Sequence, residues 1–292
     1  MAALKMLTAM VTPYHPDLQV NYDRAGEIAE YLADNGSDGI VVCGTTGESP
    51  VLTRDEKLQL FSAVKARVGN RVEVWAGTGS YDTQASIRLS QEAEKTGVDG
   101  LLVVTPYYNK PSQEGLYQHF KAIAESVSIP IMLYNIPGRS GTNMVPETVA
   151  RLAAIKNITA IKESSGIMDQ MSLLKNVLPE SMAIYSGDDS LTLPMLALGA
   201  AGVVSIASHV VGKEIKQMLD SFAAGDVKRA QEMHNYLFPM FKGLFITTNP
   251  IPVKEALNIL GKDVGGFRLP LCNAAEGEIE QLKKLLNRYH IL

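Results

Sequence analysis

Short runs rich in β-branched and other apolar residues recur along the chain at Leu7–Val11, Gly39–Val42, Val72–Ala76, Gly100–Val104, Ile129–Tyr134, Ile158–Ile161, Ala183–Tyr185 and Gly202–Ile206. Each is followed by a polar loop and then a segment of helical period. From first to last start they span 195 residues in seven intervals, about 28 residues per unit, the size of one strand-plus-helix repeat. Several runs are continuously apolar rather than alternating, which predicts strands buried on both faces. The intervening helices carry readable punctuation. Thr53-Arg-Asp-Glu56 forms a capping box, Asp82 is placed as an N-cap, and Gly36, Gly97 and Gly199 stand where helix-terminating glycines belong. The phrase Asn35-Gly-Ser-Asp-Gly39 is echoed at Thr96-Gly-Val-Asp-Gly100, 61 residues on and thus two units away.

Eight such units closing on themselves predict an α/β protein with the TIM (β/α)8 barrel fold. The rival, an open doubly wound sheet, lacks a Gly-x-Gly-x-x-Gly turn after the first strand. No linker or block of like charge divides the chain. Residues 1–224 are expected to form the barrel. Residues 225–292, with helical stretches at Asp226–Thr247, Pro252–Leu260 and Ala274–Tyr289, form a C-terminal helical extension packed on it.

Two segments invite other readings. The apolar start is interrupted by Lys5 and runs into Pro13-Tyr-His-Pro-Asp17, where a signal peptide needs small residues. Ser190–Gly212 has the length of a membrane span, but Gly199-Ala-Ala-Gly202 breaks it and no basic cluster flanks it. A buried helix followed by a buried strand accounts for it, and no membrane partner is expected. Twenty-seven Lys and Arg against 31 Asp and Glu give a net charge of −4, which argues against a nucleic-acid partner. Cys43 and Cys272 are too distant for a disulfide framework and read as reduced thiols of a cytoplasmic protein. The five histidines are scattered, so no metal site is expected, and no nucleotide motif implies a cofactor.

In such a barrel the chemistry lies at the C-terminal strand ends. The second strand leads into Gly44-Thr45-Thr46-Gly47-Glu48, where two glycines let backbone N–H groups approach an anion, or simply make a tight turn. The fourth leads into Thr105-Pro-Tyr107-Tyr108-Asn-Lys-Pro111, whose adjacent tyrosines suit an interface, an active site or packing. The fifth ends in Tyr134-Asn135-Ile-Pro137-Gly138-Arg139, a phenol for proton transfer and a guanidinium for a carboxylate, or a barrel cap and a rim ion pair. The sixth carries Lys162 at the end of an apolar strand, where a lysine is out of place unless it pairs, reaches the rim or works. Burial disfavours the ammonium, and a neutral amine there attacks a ketone to form a Schiff base. After the seventh, Ser186-Gly187-Asp188-Asp189 offers paired carboxylates, with Asp189 read as a helix N-cap rather than a metal ligand. A lysine, three tyrosines, two threonines and an arginine at one mouth suit Schiff-base chemistry on a keto acid.

These segments resemble the dihydrodipicolinate synthase family, within the N-acetylneuraminate lyase group of class I aldolases. The resemblance covers nearly the whole chain. It rests on Gly44-Thr-Thr-Gly-Glu-Ser49, Thr105-Pro-Tyr-Tyr-Asn-Lys-Pro-Ser-Gln-Glu-Gly115, Tyr134-Asn-Ile-Pro-Gly-Arg139, Ile161-Lys-Glu163, Ser186-Gly-Asp-Asp189 and Asn249-Pro-Ile-Pro-Val-Lys254. It implies condensation of pyruvate with aspartate 4-semialdehyde to 4-hydroxy-tetrahydrodipicolinate, in diaminopimelate and lysine biosynthesis, with no cofactor. Lys162 would form the imine and Tyr134 would be its acid–base. Thr45 would link Tyr134 to Tyr108, the latter supplied by a neighbouring subunit of a tight dimer that itself pairs into a homotetramer. The N–H groups of Thr45 and Thr46 would hold the pyruvate carboxylate and Arg139 that of the semialdehyde, while Gly187 and Val204 line the pocket.

Lysine-inhibited relatives are expected to use imidazoles, an asparagine and a glutamate where this chain has Arg54, Lys57, Tyr81 and Ala85. Two cations without a carboxylate repel an ammonium ligand, so feedback inhibition is expected to be weak or absent. The same Lys162 also serves the rival readings of N-acetylneuraminate lyase or a 2-keto-3-deoxy sugar acid aldolase, against which Arg139 argues. A catalytically silent barrel acting as a scaffold is the rival from outside enzymology.

Overall fold

The computed structural model describes residues 3–292. Its centre is a closed barrel of eight parallel strands in sequence order, β1 pairing β8 through Leu7 and Val204. The first half runs β1 (Lys5–Ala9), α1 (Tyr22–Asp34), β2 (Gly39–Val42), α2 (Arg54–Val68), β3 (Glu73–Gly77), α3 (Thr83–Glu94), β4 (Gly100–Val104) and α4 (Gln113–Ala124). The second runs β5 (Ile131–Asn135), the single turn α5 (Pro137–Ser140), α6 (Pro146–Leu152), β6 (Ile158–Glu163), α7 (Met168–Val177), β7 (Ala183–Ser186), α8 (Thr192–Ala197), β8 (Gly202–Ser205) and α9 (Ser208–Ala223). Three further helices follow, α10 (Val227–Gly243), α11 (Ile251–Ile259) and α12 (Glu276–Arg288). α10 packs along α9, α11 touches α9, and α12 joins α10 to α11. No helix among the described residues is long and apolar enough to cross a membrane.

Local chemistry explains most element ends. Thr53 and Glu56 make the reciprocal capping box that opens α2, and Asp82 accepts from the N–H groups of Gln84 and Ala85 to open α3. The echoed glycines, Gly36 and Gly97, take left-handed φ values of 93° and 81° just past their helices. The apolar pattern misplaces some ends. β1 begins at Lys5, two residues early, because its backbone pairs with Gly202 while its amine reaches Glu73 at 2.5 Å. β5 begins at Ile131 rather than Ile129, after Pro130, which has no N–H to give to a ladder. α10 ends at Gly243, four residues short of the pattern.

One capping expectation is overturned. Asp188, not Asp189, caps the 3-10 turn Asp189–Leu191 that precedes α8, accepting from Ser190 N at 2.8 Å. Asp189 is buried and turns inward. It accepts from the Ser205 hydroxyl at 2.5 Å and from the N–H groups of Ile206 and Ala207, both at 3.0 Å. Two adjacent carboxylates share one sequence signature, and only the approach of the chain after β8 decides which of them turns inward.

Candidate active site

Alternation along β6 sends Lys162 and Glu163 to opposite faces. Lys162 stands in register with Tyr134 on β5 and Tyr185 on β7. Lys162 is 5% exposed and Tyr134 4%. The Lys162 amine rests over the phenol ring, 4.3 Å from its centre. Gly187, just beyond β7, lets the lysine lie flat: a Cβ there would stand 2.9 Å from Lys162 Cε, 3.0 Å from its Cγ and 1.8 Å from Ser164 Oγ. Glu163 is held by amides. Its carboxylate accepts from Asn135 Nδ2 at 3.0 Å, Gln170 Nε2 at 3.1 Å and Ser165 N at 2.5 Å. Asn135 in turn donates to Asn143 Oδ1 and accepts from Met144 N, tying the ends of β5 and β6 together.

A cavity of about 230 Å³ opens beside this pair, with Thr45, Tyr134 and Arg139 in its wall together with Tyr107, Ser140 and Cys43. Tyr134 belongs to both groups, as wall of the cavity and support of the amine. The loop after β2 is bracketed by two non-glycine residues in the left-handed region, Cys43 at φ 57° and Glu48 at φ 56°. Between them the chain coils tightly, with Gly47 N donating to Gly44 O at 3.1 Å and Glu48 N to Thr45 O at 3.0 Å. The N–H groups of Thr45 and Thr46 donate to no acceptor among the described residues, so the turn presents two adjacent donors of the kind that cradle an anion. Thr46 is buried, and its hydroxyl accepts from Asn249 Nδ2 at 3.1 Å. Arg139 has no carboxylate partner among the described residues and donates only to the Asn249 carbonyl at 3.3 Å, which leaves its charge for a ligand. Burial pushes the Cys43 thiol up to about 12, so it stays protonated.

The remaining residues singled out in the sequence lie apart from the cavity wall. Val204 is buried within β8, opposite Leu7. Tyr108 is 92% exposed with φ 73°, pointing away from the chain that carries it. Its neighbour Tyr107 lines the cavity instead and packs edge-on against Tyr81 at 5.4 Å. Burial, then Tyr81, raises the Tyr107 phenol above its ordinary value. Sequence reasoning counted Tyr107 among the three tyrosines of the mouth without a task of its own, and gave no site role to Ser140 or Asn249. The segment Asn249–Lys254 carried the only signal for the last of these, as part of a motif without an assigned task.

A closed barrel whose mouth holds a buried lysine on the face of a tyrosine, beside an unpaired arginine and two free amides, has the make-up of the class I aldolase type of barrel enzyme. The chain belongs to the dihydrodipicolinate synthetase family, whose model matches residues 2–289. It is 59% identical over 289 residues to the 4-hydroxy-tetrahydrodipicolinate synthase of Desulforamulus reducens, covering 99% of this chain and 98% of that one. Among solved structures, the dihydrodipicolinate synthase of Aquifex aeolicus superposes with a TM-score of 0.97 at 45% identity, covering 99% of this chain and 98% of that one. The same enzyme of Cyanidioschyzon merolae, solved with lysine bound, gives 0.97 at 44% identity with the same coverage.

Proposed function

We propose that the chain condenses pyruvate with aspartate 4-semialdehyde to 4-hydroxy-tetrahydrodipicolinate, with Lys162 as the imine-forming amine. The observation that carries this reading is the Lys162 amine lying 4.3 Å from the centre of the Tyr134 ring inside the barrel. The amine attacks C2 of pyruvate and the carbonyl oxygen leaves as water, with Tyr134 giving and taking the protons. Loss of a C3 proton gives the enamine. Its C3 attacks the aldehyde carbon of the second substrate, and the aldehyde oxygen becomes the product's hydroxyl. The substrate's own amine then displaces Lys162 from C2, which closes the ring and frees the lysine.

Two free N–H groups at Thr45 and Thr46 suit the pyruvate carboxylate, and the unpaired Arg139 guanidinium suits that of the semialdehyde. Gly187, whose bare backbone leaves room for the Lys162 stem, and Val204 on the adjoining β8 are read as surfaces behind the bound keto acid, outside the wall of the open cavity. Thr45, in the cavity wall with Tyr134, passes protons outward to Tyr108. The exposure of Tyr108 fits donation to the site of a second copy in a tight dimer, itself half of a tetramer. A biosynthetic role of this kind and two free thiols suit a cytoplasmic protein.

Borohydride reduction in the presence of pyruvate tests the reading. One pyruvate-derived adduct per chain is expected by mass spectrometry, on the peptide carrying Lys162, and none in Lys162→Ala. A wild-type chain left unmodified refutes the imine. Turnover with N-acetylmannosamine but not with aspartate 4-semialdehyde replaces the synthase by a sugar-acid lyase.

A further inference from the structure

A buried ion pair lies directly beneath the loop after β2. Lys254 of α11 is 0% exposed, and its amine meets Glu48 Oε1 at 2.9 Å and the Gly266 carbonyl at 2.5 Å. The rings of Tyr14 and Phe267 flank it at 4.3 and 4.9 Å. The second Glu48 oxygen accepts from Arg268 N at 3.3 Å. The Arg268 side chain reaches back to Glu56 at the start of α2 and to the carbonyls of Leu18 and Val51. With the Asn249 amide on the Thr46 hydroxyl, the segment Asn249–Arg268 holds the turn at both ends.

Stability alone is a poor reason for this pair, because desolvating two charges offsets most of their attraction and an apolar filler often does as well. Geometry is a better one. Glu48 sits at φ 56°, a conformation that costs free energy unless its surroundings impose it. Its N–H closes the turn on the Thr45 carbonyl, so a shift of Glu48 carries the Thr45 and Thr46 amides with it.

We infer that Glu48 and Lys254 are positioning residues, through which the C-terminal helices aim the Thr45 and Thr46 N–H groups at the carboxylate of the keto-acid substrate. The inference rests on the pyruvate reading above. It assigns a task in the reaction to a segment more than 200 residues from the loop it braces.

Two variants test it by steady-state kinetics on the full chain. Glu48→Asp keeps the charge and shortens the arm by one methylene. The double variant Glu48→Gln with Lys254→Met removes both charges and leaves none orphaned, so it folds even where either single change does not. In each, KM for pyruvate is expected to rise about tenfold while kcat and KM for aspartate 4-semialdehyde stay within about twofold, because a misaimed carboxylate donor weakens binding in ground and transition states alike. A folded variant of either kind with unchanged KM for pyruvate overturns the inference, as does a fall in kcat alone. Wild-type trapping by borohydride, run in parallel, separates the two failures: its absence rejects the imine, whereas its presence with unchanged KM rejects the positioning role.

Discussion

Replacing Gly187 by alanine adds one methyl group at a point where the backbone passes close to the reactive lysine. The new Cβ would lie 2.9 and 3.0 Å from Lys162 Cε and Cγ, and 1.8 Å from Ser164 Oγ. Carbon pairs rest at about 3.5–4.0 Å. The serine hydroxyl can rotate away, but Lys162 Cγ is near the root of its side chain and has no such freedom. The stem must therefore withdraw by about 0.5–1 Å, and a displacement of that size at a reacting atom costs up to about 100-fold in rate. Overpacking of a filled interior adds about 1–3 kcal/mol of lost stability. Gly187→Ala is thus expected to trap pyruvate on Lys162 far more slowly and to lose about 100-fold in kcat. Urea unfolding would register the smaller cost. Ser164→Ala is the control: its hydroxyl is buried without a hydrogen-bond partner, so its removal leaves trapping unchanged. If Gly187→Ala forms the imine at the wild-type rate, the close packing around Lys162 has no catalytic consequence and the argument from geometry fails.

Three other outcomes follow from particular contacts. His209 is buried, its Nδ1 donating to Ile206 O at 2.8 Å and its Nε2 accepting from Val11 N at 3.2 Å, and burial pushes its pKa to about 4. The unfolded chain then binds the extra proton between pH 6.5 and 4, so stability falls as pH drops through that window, by about 3 kcal/mol for this one group. In urea titrations His209→Gln should flatten the dependence by one proton, and an unaltered slope would contradict the assignment. Coexpressing Lys162→Ala with Tyr108→Phe should restore about a quarter of wild-type activity, since half of randomly paired dimers hold one intact site; no recovery means that Tyr108 does not act across an interface. Free lysine is expected not to inhibit, because the carboxylates beside this surface, Glu92 and Asp55, are already held by Arg54, and Lys57 and exposed Tyr81 offer its ammonium groups no other. Inhibition at sub-millimolar lysine in the coupled assay would refute that.

Hydrophobic periodicity is a local property, and what it encodes was legible without coordinates. The eight strands, their spacing, the capping box at Thr53 and the odd position of Lys162 all depend on residues a few places apart. The closeness of Lys162 to Tyr134 follows almost as directly, since consecutive parallel strands in a barrel bring their ends together. Barrel closure and side-chain direction decided the rest. They turned Asp189 inward and left Asp188 as the cap, and they put Tyr107 rather than Tyr108 in the wall of the chain's own cavity. They also brought Asn249 and Lys254 beneath a loop 203 and 206 residues earlier in the chain. No pattern in one sequence marks such partners, because a buried pair is defined by where two distant segments meet after the apolar faces have packed. The chain therefore specifies by itself the barrel and the amine inside it, whereas the aim of the groups around that amine belongs to the packed molecule.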